Sequence, residues 1–387
     1  MSTLKVDGIR SNSATSDAIT LASDGTCTAN LTNNLSNINK IINGSMICSQ
    51  RATQVTGSTD TGYKTVDRFR ISHTNLGTFT YDQDTNAPNG FSNSFKASCT
   101  TADASPAASD QLQLMYRVEA QDLQDLAYGT SDAKACILSF YVKSNKTGNA
   151  SVNIANFDDS EKSVSFQYSI SAANTWERKS VVIPADTSGT INNDNGRGFQ
   201  IEWWLNSGSN FTGGSHQSSW TAYNATNRNA SNLGIGGSTS DYWQITGVQL
   251  EVDQTGSGVA TDFEHRSYGQ ELQLCKRYYE QYDHLDTYWL CSGVYNASTE
   301  AIFPFDYQVE KRVAPTITMP PGSNIILMRP NTSNASGGTM SALNIKTRKC
   351  AFKSTSNPSS SSGGYATTMS IYNSGSGSTV LSIDAEL

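Results

Sequence analysis

The sequence predicts a mostly-β protein: an antiparallel jelly-roll sandwich joined by a short helix to a smaller C-terminal β-sandwich, with a distinct N-terminal segment in front. Three observations predict it. Apolar and polar residues alternate at period two over several runs between 136 and 252, which is the pattern of half-buried antiparallel strands. Polarity comes from Ser, Thr, Asn and Gly, because only 16% of residues are charged while 36% are hydrophobic. Turn clusters such as KSNKTGN and NSGSNFTGGS separate the apolar runs, as many short strands with long surface loops require.

In chain order, residues 1–50 read as a distinct segment. LKVDGI and AITLASDGTC supply two short strands around turn residues. Leu31, Leu35, Ile38 and Ile42 then recur at heptad spacing. Six asparagines between 30 and 43 disfavour an isolated helix. Either several chains share this seam, or one amphipathic helix packs on its own domain.

Residues 51–265 carry the jelly roll. In 163–170, Val164, Phe166, Tyr168 and Ile170 share a face; in 136–142, Cys136, Leu138, Phe140 and Val142 do. In 198–206 the inward set is Phe199, Ile201, Trp203 and Leu205. The run 242–252 places Trp243 and Ile245 on one face, breaks step at Gly247, and resumes with Val248, Leu250 and Val252. One extra residue at a glycine marks a β-bulge.

Residues 266–284 read as a helical neck along which the chain leaves its sheet on a new axis. Ser267 and Gln270 match a capping box. Leu272, Cys275, Tyr279 and Tyr282 then form one apolar stripe, widened by Leu274 and Tyr278. Such a stripe needs a partner, here both the neighbouring domain and symmetry mates. Residues 285–387 form the distal sandwich, with candidate strands at 288–295, 300–305, 316–319, 324–328, 349–353, 367–372 and 380–383. No fixed repeat of 20–50 residues argues for a solenoid.

Composition excludes several functions. A net charge of −7 opposes phosphate-backbone binding, although an acidic chain can still carry a local basic patch. The seven cysteines are scattered without a CxxC pair, so free thiols fit better than a disulfide framework or zinc site. The first twenty residues are polar, unlike a signal peptide, and no apolar run suits a membrane helix. Synthesis in a cytosol followed by release on lysis fits these features.

No convergent catalytic set is legible. His73, His216, His265 and His284 are isolated from one another. Asp158, Asp159 and Glu161 offer an acid pair or cation ligands, but a solvated acidic turn is the simpler reading. Residues 192–196 lack the spaced carboxylates of a calcium loop, and 234–237 has no βαβ context for a dinucleotide. We therefore expect no catalytic residue, no metal and no cofactor.

The runs ILSFYVKSNKTGNASVNIAN, NTWERKSVVIPADTSGT, NNDNGRGFQIEWWLNSGSNF, ITGVQLEV, FEHRSYGQELQLCKRYY and FPFDYQVEKRVAPTITM resemble, in order and spacing, bacteriophage tail-fibre-like virion proteins. Modules of this kind are similar to jelly-roll carbohydrate-binding modules. MSTLKVDGIRSNSATSDAITLASDGT resembles the virion-attachment segment of fibres from phages of marine bacteria and cyanobacteria. The resemblance implies a homotrimeric virion protein that contacts the tail or other virion components through residues 1–50.

Sugar rings stack on aromatic side chains while amide and hydroxyl groups bond their hydroxyls. Trp204 falls opposite the core face of its strand, beside Gln200 and Glu202, and Trp220 and Tyr223 lie in the polar loop GGSHQSSWTAYNATNRN. The competing reading packs all three between subunits or under long loops. A rival contact surface uses distal Tyr295, Tyr365 and Tyr372 with their Ser/Gly loops. The expected function is non-enzymatic adhesion to a host-surface glycan or protein, without nucleic-acid binding or membrane insertion. Alternatives are a structural spacer or head/tail decoration protein and a polysaccharide-degrading tailspike.

Overall fold

The computed structural model describes residues 6–13, 15, 17–21, 23, 27–29, 37–283, 289–297, 299–328, 335–355, 364–375 and 377–387. At the front, β1 (Gly8–Ile9), β2 (Ile19–Leu21) and β3 (Cys27–Ala29) make a small antiparallel sheet. The jelly roll follows as two six-stranded antiparallel sheets. In spatial order the back sheet holds β13 (Glu177–Ile183), β10 (Cys136–Ser144), β15 (Tyr242–Val252), β8 (Ser94–Thr101), β7 (Thr78–Asp84) and β4 (Gln54–Ser58). The front sheet holds β12 (Lys162–Ile170), β11 (Gly148–Asn156), β14 (Arg197–Ser207), β9 (Gln111–Glu119), β6 (Phe69–Thr74) and β5 (Gly62–Tyr63).

The period-two runs bury the faces their patterns predict. Cys136, Leu138, Phe140 and Val142 point into the sandwich, and so do Phe199, Ile201, Trp203 and Leu205. Phe140 meets Trp203 and Tyr168 edge-on, with ring centroids 5.8 and 5.2 Å apart. Gly247 makes the expected bulge: Ser139 pairs with Gln249, but Tyr141 pairs with Thr246. Its φ of 60° lies in the left-handed region that glycine enters without strain. A Cβ there would sit 2.8 Å from Phe91 and 2.9 Å from Tyr141.

Three expectations are corrected. Ile38 lies in an irregular stretch and Ile42 in a turn rather than on a heptad helix, while Leu31 and Leu35 lie outside the described residues. The asparagines explain the difference. Asn39 bonds the backbone of Val248, Leu250 and Ile41, and the Asn43 amide donates to Cys48 and Asp67 carbonyls. The bonds to β15 tie the segment to the jelly roll, and those from Asn39 to Ile41 and Asn43 to Cys48 compete locally with helix formation.

The second correction concerns the neck. Helix α2 (Tyr268–Lys276) begins at the Ser267–Gln270 capping box, as expected. It stops at Lys276, however, and Tyr279 and Tyr282 belong to strand β16 (Tyr279–Tyr282). The stripe is therefore split: Cys275 is buried on the helix and Leu272 half-buried, whereas both tyrosines are buried from a strand. Aromatic residues suit a pleated strand, and β16 is captured by β25 (Leu381–Asp384).

Third, the segment expected to leave on a new axis stays against the jelly roll, making the expected contact with the neighbouring domain. Glu271 on α2 accepts from the backbone of Asn43, Arg277 forms a two-pronged pair with Glu119 of β9, and the Tyr278 hydroxyl donates to the same carboxylate. The helix lies on the jelly roll.

In the C-terminal unit, β16, β25 and β19 (Thr316–Thr318) form one sheet. A seven-stranded sheet runs β21 (Ala335–Ser336), β20 (Ile325–Met328), β24 (Ala366–Ile371), β17 (Cys291–Ala297), β18 (Glu300–Asp306), β23 (Lys349–Thr355) and β22 (Thr339–Leu343). Phe303, Phe305, Phe352 and Leu327 share their core with Leu381 and Ile383. The architecture is mostly β and sandwich-like throughout.

The chain's last residues return to the jelly roll. Glu386 pairs with the buried Arg68 and lies 3.4 Å from Arg51, which also meets Asp384 at 3.2 Å. Arg68 lies over the Tyr278 ring and donates to the Arg117 carbonyl. Burial opposes its charge, but Glu386 and the surrounding tyrosines outweigh that and hold its pKa well above the ordinary value.

Two outcomes follow. Gly247→Ala should cost about 1–3 kcal/mol in urea unfolding, because the Cβ meets two rings and φ is unfavourable. Glu386→Ala should lower stability by roughly 3 kcal/mol, the cost of leaving a buried cation without its partner, read as a lower urea midpoint at unchanged secondary structure by circular dichroism.

Candidate functional site

The outer face of the front sheet is polar, unlike the core face, and strand register arranges it in rows. One row crosses Ser72, Gln113, Trp204 and Ser151; the next crosses Tyr63, Arg70, Met115, Glu202 and Asn153; a third crosses Arg117, Gln200 and Ala155. Alternation along β6, β9, β11 and β14 forces these side chains to the same side.

Segment 208–231 covers one end of the face. It starts with the short helix α1 (Ser209–Thr212), and Phe211 packs on Trp204 with centroids 5.1 Å apart. The segment is held to the edge strand β12 by backbone bonds between Ser163 and Thr221, and from Ser165 to Gln217. The other end is closed by the chain's last residues: the Leu387 backbone oxygen accepts from Arg117 and from the Tyr63 hydroxyl.

A continuous polar network runs between these covers. The Tyr223 hydroxyl accepts from Arg228 at 3.0 Å, and the Arg228 guanidinium forks onto both oxygens of buried Glu202. Burial opposes the charge of Arg228, and Glu202 raises its pKa in spite of that. Glu202 also accepts from Asn153 and Gln200. The Gln200 oxygen then accepts from Arg117 at 2.9 Å and Arg197 at 2.8 Å. Arg197 lies over the Phe157 ring. Burial, followed by the neighbouring Arg117 charge, pushes the Arg197 pKa down to about 10.

The buried atoms Trp204 Nε1, Gln113 Oε1 and Asn153 Oδ1, all in these rows, have no hydrogen-bond partner. Unpaired buried polar atoms are uncommon in folded proteins.

The structure disperses the sequence-selected residues. Trp204 faces outward from the core, as its alternation requires, but is fully buried beneath Phe211 and Arg228. The expectation of a sugar-stacking Trp204 is corrected, because 208–231 folds over it. Trp220 pins that segment down, donating to the Pro184 carbonyl and packing on Phe199 and Tyr128. Tyr223 is open, at 44% exposure. Tyr295 is buried in the C-terminal core and is corrected as a contact residue. Tyr365 and Tyr372 are exposed at opposite ends of β24 and do not converge.

Arg70, Arg117, Arg197 and Arg228 were missed, although alternation in RFRIS and LQLMYRVE places Arg70 and Arg117 outward. Among the described residues no group of His, Cys, Asp and Glu could hold a metal ion. The six cysteines with described side chains are free thiols. No described helix is long and apolar enough to cross a membrane.

The class defined by this fold is a mostly-β protein built on a jelly-roll sandwich. No family model matches the chain, and no curated protein matches it. Among solved structures it is similar to the enzymatically active domain of tailspike protein 4 of bacteriophage CBA120, at 15% identity and a TM-score of 0.29. That likeness covers 56% of this chain and only 21% of the tailspike domain's chain. A CBM4 structure is similar at 12% identity, with 55% and 98% of the two chains covered and a TM-score of 0.29. The family 11 carbohydrate-binding module of the Clostridium thermocellum cellulase Lic26A-Cel5E is similar at 10% identity, with 60% and 100% covered and a TM-score of 0.26.

The ion pair at the centre of the face makes a direct expectation. Arg228→Met should cost about 3–5 kcal/mol by stranding the Glu202 charge. The double variant Glu202→Gln/Arg228→Met should recover most of that loss in the same thermal or urea unfolding assay.

Proposed function

We propose that the chain is a tail-fibre-type virion protein that binds a host-surface glycan on the outer face of its jelly roll and does not cleave it. The observation that carries this reading is the Tyr223–Arg228–Glu202–Gln200–Arg117 network, which ends in the exposed ring of Tyr223. Sugars match such a surface: their hydroxyls donate and accept in alternation, and their CH faces stack on aromatic rings. Glu202 is tied into a fork with Arg228, so it positions neighbouring groups rather than standing ready to protonate a leaving oxygen. Glycoside hydrolysis calls for a pair of carboxyl groups about 5–9 Å apart across the bond.

In this reading residues 1–50 attach to the virion and three copies act together. Support comes from Ile9 and Leu21 on the N-terminal sheet and Val6 just before it, which expose apolar side chains to solvent. A sheet this small gains little by itself and suits a partner surface. Avidity from three copies multiplies weak contacts by factors on the order of 10²–10⁴.

The test is binding of the full chain to an array of bacterial surface glycans. Tyr223→Ala should weaken the hits about tenfold through loss of stacking, while Tyr365→Ala and Tyr372→Ala leave them unchanged. Absence of any glycan hit, together with no block of phage adsorption at saturating protein, would sink the adhesion reading. Release of reducing ends from a bound polysaccharide would show an enzyme instead.

A further inference from the structure

We infer that the cleft between the jelly roll's exit and the exposed face of α2 is a second binding site, which takes a short neutral sugar. The cleft has a volume of about 690 Å³, within the range of roughly 300–1,000 Å³ that small-ligand clefts occupy. Among the described residues its lining comes from Asn37, from 264–266 and from α2. It is anchored on the back-sheet side, where the Glu264 N–H donates to Gln249 of β15 at 2.8 Å. None of its described lining residues belongs to the front-face rows, so the two sites stand or fall separately.

The charged members of the lining are already spent. The Glu264 carboxylate accepts from the backbone of Asn37 and Asn39. Arg266 donates to the Ile41 and Asn39 carbonyls and meets Glu271 at 3.1 Å. Glu264 and Arg266 also lie 3.5 Å apart. Together they fix 37–41 as one wall and bring one charge of each sign. An ionic ligand finds no unmatched partner there.

The uncharged members are free. Gln270, Gln273 and Leu274 stand at i, i+3 and i+4 on α2, which puts them on one helix face, and all three are exposed. Gln270 Oε1 accepts from the Ser267 N–H and hydroxyl in the capping box, and its Nε2 donors have no partner among the described residues. The exposed side chains of Asn37 and Gln273 likewise form no hydrogen bond among the described residues. The same holds for the ring nitrogens of exposed His265. That ring is held instead by Phe91 and Phe263, with centroids 5.1 and 4.9 Å away.

These groups match a sugar. A primary amide both donates and accepts, and so do neighbouring hydroxyls on a sugar ring. Leu274, at 37% exposure, and the imidazole ring offer surface to its CH face. A protein partner is the poorer fit, because interface cores are built on clustered aromatic and other apolar anchors. Leu274 is the one apolar residue in the described lining.

The experiment titrates the full chain with neutral mono- and disaccharides of glucose, galactose, mannose and N-acetylglucosamine, read by saturation-transfer NMR. It is run in the Tyr223→Ala background, which removes the stacking ring of the front face. We expect at least one disaccharide to bind there. Gln273→Ala and, separately, Asn37→Gly should each weaken it about tenfold, the yield of one or two hydrogen bonds. Asn37 has φ of 58°, a conformation that glycine adopts freely, and Gln273 has no partner to lose. The unfolding midpoint should therefore stay unchanged in both variants.

Sugar binding that disappears with Tyr223→Ala alone belongs to the front face; it overturns the inference and leaves glycan recognition standing. Binding in that background that neither cleft variant weakens overturns it as well. No transfer to any sugar, with no glycan hit on the array, overturns both readings. A change of oligomeric state on Gln273→Ala, read by sedimentation and without a sugar effect, overturns the inference in favour of a contact between copies.

Discussion

The buried pair of Arg68 and Glu386 is the constraint on which the remaining geometry depends. Arg68 stands at the start of β6 with φ of 74° and bonds the Arg117 carbonyl on the neighbouring strand. Its other side lies over Tyr278, just beyond α2. One guanidinium therefore links the front sheet, the segment after the helix and the last residues of the chain. Such a group is expensive to bury, and Glu386 from the far end of the sequence compensates it. Arg51 adds a second cation, stacked 3.5 Å over Tyr279. Arg312 donates to the Ala385 and Glu386 carbonyls and to Asn195, so the contact is polar on every side. Ionic and hydrogen-bonded contacts of this kind hold direction as well as distance, which an apolar contact of similar area does not.

That latch decides where the candidate face ends. With Glu386 held by Arg68, the next residue is carried to Tyr63 and Arg117, and its backbone oxygen closes the lower edge of the rows. At the upper edge, 208–231 folds down because Phe211 covers Trp204 and Trp220 fills a gap beside Phe199. Between these two covers Tyr63, Arg70 and Arg117 are half-buried, while Gln113, Gln200, Glu202 and Trp204 beside them are buried.

Local rules made the strands, their inward faces, the Gly247 bulge and the Ser267 capping box legible in the sequence. Each depends on neighbours within a few residues, and period-two alternation is a strong signal. What went unread depends on distant partners. Nothing near Trp204 says that Phe211 and Arg228 will cover it. The split of the Leu272–Tyr282 stripe is decided by β25, a hundred residues later, which draws Tyr279–Tyr282 into a strand. Ile38 and Ile42 carry a heptad spacing, yet Asn39 and Asn43 spend their amides on β15 and the Cys48 and Asp67 carbonyls. Gln200 and Glu202 were visible on the outward side of their strand, but the arginines that give them meaning come from β6 and β9.

The face and the sandwich answer to different parts of the chain, and that has a functional consequence. The sandwich is set by inward residues of twelve strands, where a change of volume is felt across the core. The open width of the face is set by two peripheral covers, 208–231 and 384–387. Neither cover supplies much of the jelly-roll core beyond Trp220. Length or side-chain changes in the covers can therefore alter which ligands fit without disturbing the sheets beneath, as surface loops on a rigid scaffold generally permit. The arginines behave differently. Arg70, Arg117 and Arg197 project from strands fixed by register, so the charge they present stays in place when the covers vary. The covers are thus free to drift, while the strand-borne arginines stay anchored in the sheet.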